Sequence, residues 1–295
     1  MSDVFRSGFV AVLGRPNVGK STLVNRLVGH KVSIVSDHPQ TTRRRISGVV
    51  NGAGFQLIFL DLPGFQRPFD TLTRKMQATV DTALAEVDGA VFVLNAVEPF
   101  GGGDRFIADA VARASIPYVV ALNKTDAVRP EALPEKLRQA EELVGENHVR
   151  PISALKGDGL DDVVAELAAA MPEGPEYFPA GQTSDQPVSQ LVAELIREKA
   201  LQLTREEVPH AIAVEIESLE ERADRSLVEI DAHIVVEHES QKAIVIGKGG
   251  SVIKAIGSAA RREIEAVLGV KVFLGLRVKV RRHWRRDEGY VDRQL

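Results

Sequence analysis

The sequence has no cysteine in its 295 residues, which excludes disulfides and every cysteine-ligated zinc or iron–sulfur site. Its seven histidines form no spaced ligand cluster, so any metal has to be held by oxygen atoms. No apolar run approaches the roughly 20 residues that cross a bilayer. The opening Met1-Ser-Asp-Val-Phe-Arg6 lacks the apolar core of a signal peptide. A cytosolic protein is the expectation.

What is present is enough apolar sequence for a large core, 44% hydrophobic against 26% charged, over a length that suggests two globular domains. The net charge of −4 conceals an asymmetry. Residues 241–295 carry 13 Lys and Arg against 5 Asp and Glu, a balance of +8, which leaves −12 for residues 1–240. A basic end on an acidic body suits a polyanionic partner. A solvated terminal helix and strand would show the same charge.

Short β-rich runs at residues 9–13, 55–60, 90–94, 118–122 and 149–152 alternate with helical stretches at 71–86, 134–143 and 160–171. That rhythm predicts βα units and a mostly parallel sheet covered on both faces. From Pro172 to Pro187 the chain is rich in Pro, Gly and small polar residues, which break regular structure. The expected division is a first domain at 1–172, a linker at 173–187 that permits different placements of the second domain at 188–285, and a basic tail at 286–295. The second domain reads as a helix (188–205), two alternating strands (211–219 and 227–236), a helix–Gly-rich turn–helix through 244–268 and a last strand (270–280). On that strand Val272, Leu274, Leu276, Val278 and Val280 face one way, and Lys271, Arg277, Lys279 and Arg281 the other.

Gly14-Arg-Pro-Asn-Val-Gly-Lys-Ser21 follows an apolar strand and opens a helix, the context of a phosphate-binding P-loop. Backbone N–H groups of Gly14, Asn17, Val18 and Gly19, together with the helix start at Lys20, Ser21 and Thr22, can wrap phosphates. Lys20 is placed to reach the β- and γ-phosphates, and Ser21 to offer a hydroxyl to Mg²⁺. Asp61-Leu-Pro-Gly64 ends another strand; Asp61 can hold Mg²⁺ and the Gly64 N–H can sense the γ-phosphate. Standing alone, Asp-x-x-Gly is a common turn. In Asn123-Lys-Thr-Asp126, Asp126 can accept from guanine's ring N–H and exocyclic amine, a donor pair adenine lacks, so Asn123, Lys124 and Asp126 point to GTP over ATP. Ser153-Ala-Leu155 is placed for the Ala154 N–H to meet guanine O6. Between P-loop and Asp61, the polar run His38-Pro-Gln-Thr-Thr-Arg-Arg-Arg45 offers Thr42 as a ligand to Mg²⁺ that orders in the triphosphate state. Thr41 competes for that role, and Thr42 is preferred because it immediately precedes Arg43.

In the second domain, Ile246-Gly-Lys-Gly-Gly250 supplies a Gly-x-x-Gly turn between helices. Gly247, Lys248, Gly249 and Gly250 can approach a sugar–phosphate chain, and Lys242, Lys254, Arg261 and Arg262 extend the positive surface. Alone the turn is weak. In α-β-β-α-α-β order within a basic segment it signals a KH module. Trp284, the single tryptophan, either stacks on a base or packs a terminal helix; packing is preferred.

The expected fold is therefore α/β, a Ras-like, doubly wound P-loop NTPase domain, followed by a small α+β KH domain of type II. Gly14–Thr22, Gln40-Thr-Thr-Arg43, Asn123–Asp126, Ser240–Gly250 and Lys271–Lys279 together resemble the Era family of bacterial GTPases over nearly the whole chain. The resemblance implies GTP hydrolysis to GDP, binding of the 16S ribosomal RNA 3′ end by the KH domain, a role in small-subunit assembly, and peripheral contact with the inner face of the cytoplasmic membrane. A monomer is expected. Leu62 stands where the family usually has Thr, a lost hydroxyl of small expected consequence. Phe65 stands where Ras-type GTPases carry a water-orienting Gln, so intrinsic hydrolysis is expected to be slow. In related GTPases lacking that Gln an Asn at the place of Asn17 helps to hold K⁺. Lys20, Thr42, Gly64 and Asn17 are the residues expected to act on the γ-phosphate. A P-loop kinase is disfavoured by Asp126, and an RNA-binding protein with a degenerate nucleotide fold by the presence of Lys20, Ser21, Asp61 and Asp126. A tRNA-modification or large-subunit assembly GTPase is disfavoured because the first carries its GTPase inside a larger helical protein, and the best-known KH-bearing example of the second has two P-loops.

Overall fold

The computed structural model describes residues 4–38, 40–65, 68–145, 149–204, 208–222 and 227–295. Pro39 in the polar loop and Arg205 at the expected end of the 188–205 helix fall outside them. The chain forms two compact units, one of Met1–Ser33, Thr42–Phe69 and Thr73–Asp185, the other of Ile34–Thr41, Asp70–Leu72 and Gln186–Leu295.

In the first unit the strands β1 (Arg6–Leu13), β2 (Ile46–Gly52), β3 (Phe55–Asp61), β4 (Gly89–Asn95), β5 (Tyr118–Asn123) and β6 (Val149–Pro151) form one sheet in the order β2-β3-β1-β4-β5-β6. Helices α1 (Lys20–Val28), α2 (Thr71–Glu86), α3 (Gly102–Ala114), α4 (Leu133–Val144) and α5 (Leu160–Ala170) cover it. Successive side chains of a strand point to opposite faces, so a sheet covered twice needs apolar residues at every position. On one face Val10, Val12, Leu57, Phe59, Val91 and Val93 pack with Leu23 and Val24 of α1 and Val163 and Leu167 of α5. On the other, Ala11, Leu13, Ile58, Leu60, Phe92 and Leu94 pack with Val80 of α2 and Ile107 and Val111 of α3. Each Val, Leu, Ile or Phe so buried contributes about 1.5–3 kcal/mol. Leu62 is fully buried in the second of these clusters; its role is packing.

The sheet is parallel except that β2 runs antiparallel to β3. Neither β2 nor α3 figured among the expected elements. Residues 173–185 of the expected linker do not hang free. The N–H groups of Tyr177 and Phe178 donate to Oε1 of buried Gln56 at 2.8 and 3.0 Å, and the Val49 N–H donates to the Thr183 carbonyl at 2.9 Å. Pro and Gly end the helix, but the backbone donors beyond it still need partners.

In the second unit, α6 (Val188–Leu203), α7 (Val208–Ala211), β7 (Ala213–Glu221), β8 (Leu227–Val236), α8 (Glu239–Ile246), α9 (Ser251–Leu268), β9 (Lys271–Val280) and α10 (Glu288–Gln294) follow in order. The sheet is β7-β8-β9, with β8 antiparallel to β7 and parallel to β9. Leu195, Ile196 and Ala200 of α6 and Ile256, Ala260 and Ile264 of α9 pack on Ile230, Ala232 and Ile234 of β8. Trp284 is fully buried, and its Nε1 donates to the Ala211 carbonyl at 2.8 Å. It packs and does not stack on a base. Residues 286–295 are not a basic tail: they carry two Arg against three acids and fold as α10, with Tyr290 and Val291 buried against the domain.

Candidate nucleotide pocket and nucleic-acid interface

The P-loop runs from the end of β1 into α1. Gly19 adopts φ 102°, and a Cβ there would lie 2.3 Å from Asn123 Nδ2, so only glycine lets the loop pass. No side chain caps α1, which leaves its first N–H groups to an anion. Lys20 is buried, and its ammonium donates to the carbonyls of Gly14 at 3.1 Å and Arg15 at 3.0 Å. Burial lowers its pKa to about 8, opposed by the Asp61 carboxylate.

The three expected metal ligands converge. Ser21 Oγ lies 2.9 Å from Thr42 Oγ1, and Thr42 Oγ1 donates to Asp61 Oδ2 at 3.3 Å. Asp61 is fully buried. Burial raises its pKa, with Ser21, Lys20 and Thr42 opposing, and its Oδ1 has no hydrogen-bond partner among the described residues. Two hydroxyls and a buried carboxylate with a spare oxygen fit a hard dication such as Mg²⁺. Thr41 is engaged elsewhere, its hydroxyl donating to the His38 carbonyl at 2.6 Å. Gly64 lies against the P-loop, where a Cβ would come within 2.8 Å of Pro16 N, and the Phe65 N–H donates to the Gly14 carbonyl at 3.2 Å.

The residues expected to read the base are tied to one another and to the P-loop. Asn123 Nδ2 donates to the Val18 carbonyl at 2.8 Å, and Lys124 Nζ to the Asn17 carbonyl at 2.8 Å. The Asp126 Oδ1 accepts from Ser153 Oγ at 2.7 Å, which fixes the carboxylate's orientation. The Ala154 N–H donates to Asn123 Oδ1 at 2.9 Å; the donor expected to meet guanine O6 is therefore already engaged. Leu155 is 71% exposed. Val18 is buried and serves through its carbonyl. Thr22 lies in the first turn of α1.

Sequence reasoning missed Arg15, whose Nε donates to Asp104 Oδ1 at 2.9 Å and whose Nη2 donates to Glu98 at 3.1 Å. Its partners lie 89 and 83 residues away, so no local pattern signals them.

Toward the other end of the chain, α8 ends at Ile246, capped by Gly247, and α9 begins at Ser251. Gly247, Gly249 and Gly250 have φ of 72°, 60° and 78°, the left-handed region that favours glycine. A Cβ on Gly247 would lie 2.5 Å from Val252 Cγ2. Lys248, Lys254, Arg261 and Arg262 are exposed, whereas Lys242 and Ile246 are half-buried. The turn presents bare backbone and an uncapped helix start beside cations, a surface suited to a phosphate chain.

A P-loop domain whose Asp126 carboxylate is held in a fixed orientation by Ser153, joined to a KH fold, defines a GTPase with an RNA-binding module. Sequence profiles agree, that of the 50S ribosome-binding GTPase family matching residues 9–124 and that of the KH domain residues 207–285. Solved structures match both units in one chain. A variant of Aquifex aeolicus Era bound to GDP·AlF4⁻ is 39% identical, covering 98% of this chain and 99% of its own, with a TM-score of 0.94. Era in complex with MgGDPNP and nucleotides 1506–1542 of 16S ribosomal RNA is 40% identical over 98% of both chains, with a TM-score of 0.92. The chain belongs to the Era family of GTPases.

Proposed function

We propose that this protein holds the 3′ end of 16S ribosomal RNA in its KH module while GTP occupies the P-loop domain, assists small-subunit assembly, and releases the RNA after hydrolysis. The RNA assignment is supported by the Era complex with nucleotides 1506–1542 and by the glycine clamp, which suits about four single-stranded nucleotides.

The observation that carries the coupling is the membership of the second unit. Ile34–Thr41 ends one peptide bond before Thr42, and Asp70–Leu72 follows Gly64 by a few residues, yet both segments fold with the RNA-binding unit. Ile34 is buried in that unit's core. The Val35 N–H donates to Glu198 Oε1 at 2.8 Å, and Arg197 Nη2 donates to the Thr41 carbonyl and to Glu194. Arg285 pairs with Asp70 at 2.6 Å. A ligand that orders Thr42 and Gly64 thus acts on residues whose chain neighbours are fixed in the other unit, which gives the two nucleotide states a difference in free energy that RNA can feel.

In the pocket, Lys20 stabilises charge on the transferring phosphoryl group and the Gly64 N–H meets the γ-phosphate. Mg²⁺ held by Ser21, Thr42 and Asp61 would neutralise phosphate charge. Phe65 has no side-chain amide to orient water, which accords with slow hydrolysis, and Asn17 would hold K⁺ where the ion would supply positive charge beside the phosphates. The protein is read as a cytoplasmic monomer, and the family resemblance alone supports peripheral membrane contact. Crosslinking it to cellular RNA and sequencing the contacts tests the assignment: reads are expected at the 16S 3′ end, and reads confined to other RNAs would overturn it.

A further inference from the structure

The outer turn of the P-loop, residues 14–16, is where three parts of the catalytic domain meet. Its Gly14 and Arg15 carbonyls hold the Lys20 ammonium. Gly14 also accepts from the Phe65 N–H, and Pro16 lies flush against Gly64. The third part is the start of α3. Asp104 is fully buried; its Oδ2 accepts the Gly101 N–H at 2.8 Å, capping the helix, and its Oδ1 accepts Arg15 Nε at 2.9 Å. Gly103 lets the arginine stem pass, since a Cβ there would lie 3.0 Å from Arg15 Cδ. Glu98 takes the outer edge of the guanidinium at 3.1 Å.

From this we infer that Arg15 is a positioning residue for GTP hydrolysis, which acts by pinning the P-loop's outer turn to Asp104 of α3. The guanidinium is committed to two carboxylates on the α3 side, and the backbone it carries holds Lys20. Without the pin, the carbonyl of residue 15 loses its anchor, and Lys20 and the Gly64 neighbourhood lose their common wall. Among the described residues, the buried Asp104 is then left with a single backbone donor, the Gly101 N–H, a costly arrangement that further favours local rearrangement. Small misplacements of such groups lower rates steeply while leaving ground-state binding largely intact.

The test uses the full-length protein without RNA, so its outcome is separate from the ribosomal assignment. Arg15→Ala, Arg15→Lys, Asp104→Asn and the Arg15→Ala/Asp104→Asn pair are compared for kcat, KM, GDP affinity and amide hydrogen exchange at residues 14–19. Arg15→Ala is expected to lower kcat about tenfold or more with KM and GDP affinity little changed, and to speed exchange in the P-loop. Arg15→Lys, which keeps a cation for Asp104, should recover part of the rate, and the double variant should be no slower than the worse single one. The inference is overturned if the two losses multiply, if Asp104→Asn hydrolyses normally while Arg15→Ala does not, or if P-loop exchange is unchanged in Arg15→Ala. That last readout decides the matter even where the Asp104 variant fails to fold, because Arg15 is partly exposed and tolerates truncation.

Discussion

Exchanging Asp126 for Asn removes one acceptor from the base-reading site and adds a donor, with almost no change of shape. The Ser153 hydroxyl, 2.7 Å from Asp126 Oδ1, can donate equally well to the amide oxygen, so the side chain keeps its orientation and turns an NH₂ toward the base. Guanine then presents two donors to a group that can no longer accept both. Hydrogen bonds to a charged partner contribute about 1.5–3 kcal/mol each, so losing the pair costs about 3–6 kcal/mol, or roughly two to four orders of magnitude in GTP affinity. Xanthine carries a carbonyl where guanine has its amine and accepts from the new NH₂. Competition binding of GTP and xanthosine triphosphate to wild type and Asp126→Asn measures the switch. Unchanged GTP affinity in the variant would remove Asp126 from the base-reading role.

Three further outcomes can be measured independently. Hydrolysis should be faster in K⁺ than in Na⁺, and Asn17→Ala should lose the difference; equal rates in the two salts contradict the K⁺ reading. Lys248→Asp combined with Gly249→Asp should abolish RNA binding while leaving GTP affinity measured without RNA unchanged, because the clamp lies outside the pocket. Burial puts the Lys20 titration near pH 8, and the phosphates need the cation. GTP affinity should therefore be level below pH 8 and fall by up to about tenfold per unit above it as the amine loses its proton; a Kd constant from pH 7 to 9 refutes the assignment.

The central strands were legible because both their faces are buried, so β1, β4 and β5, and β3 apart from Gln56, read as apolar runs between motif-bearing loops. The edge strand β2 was not: Ile46-Ser-Gly-Val-Val-Asn-Gly52 carries two glycines and an asparagine, and its pairing with β3 is set by register rather than composition. Helix α3 opens on Gly102-Gly103-Asp104, which reads as a turn until the capping carboxylate is seen. The pocket's motifs could be read because each needs particular residues at fixed short spacing. The groups that fix them come from far along the chain, as with Asp104 for Arg15, Ser153 for Asp126 and Gln56 for residues 177 and 178. The same limit hid the membership of 34–41, because nothing in that polar loop announces that Ile34 packs in the core of the other unit.

In the proposed cycle the nucleotide sets the grip on RNA. This coupling is tested most directly by titrating a single-stranded oligonucleotide of the 16S 3′ end into the protein loaded with GDP or with a non-hydrolysable GTP analogue, at one fixed salt concentration because phosphate contacts are salt-sensitive. Coupling free energies of this kind run at about 1–3 kcal/mol, so the triphosphate form should bind roughly 5- to 150-fold tighter. Arg197→Met, which frees the Thr41 carbonyl, should narrow the gap. Equal affinity in the two nucleotide states would contradict the switch even with both domains correctly assigned.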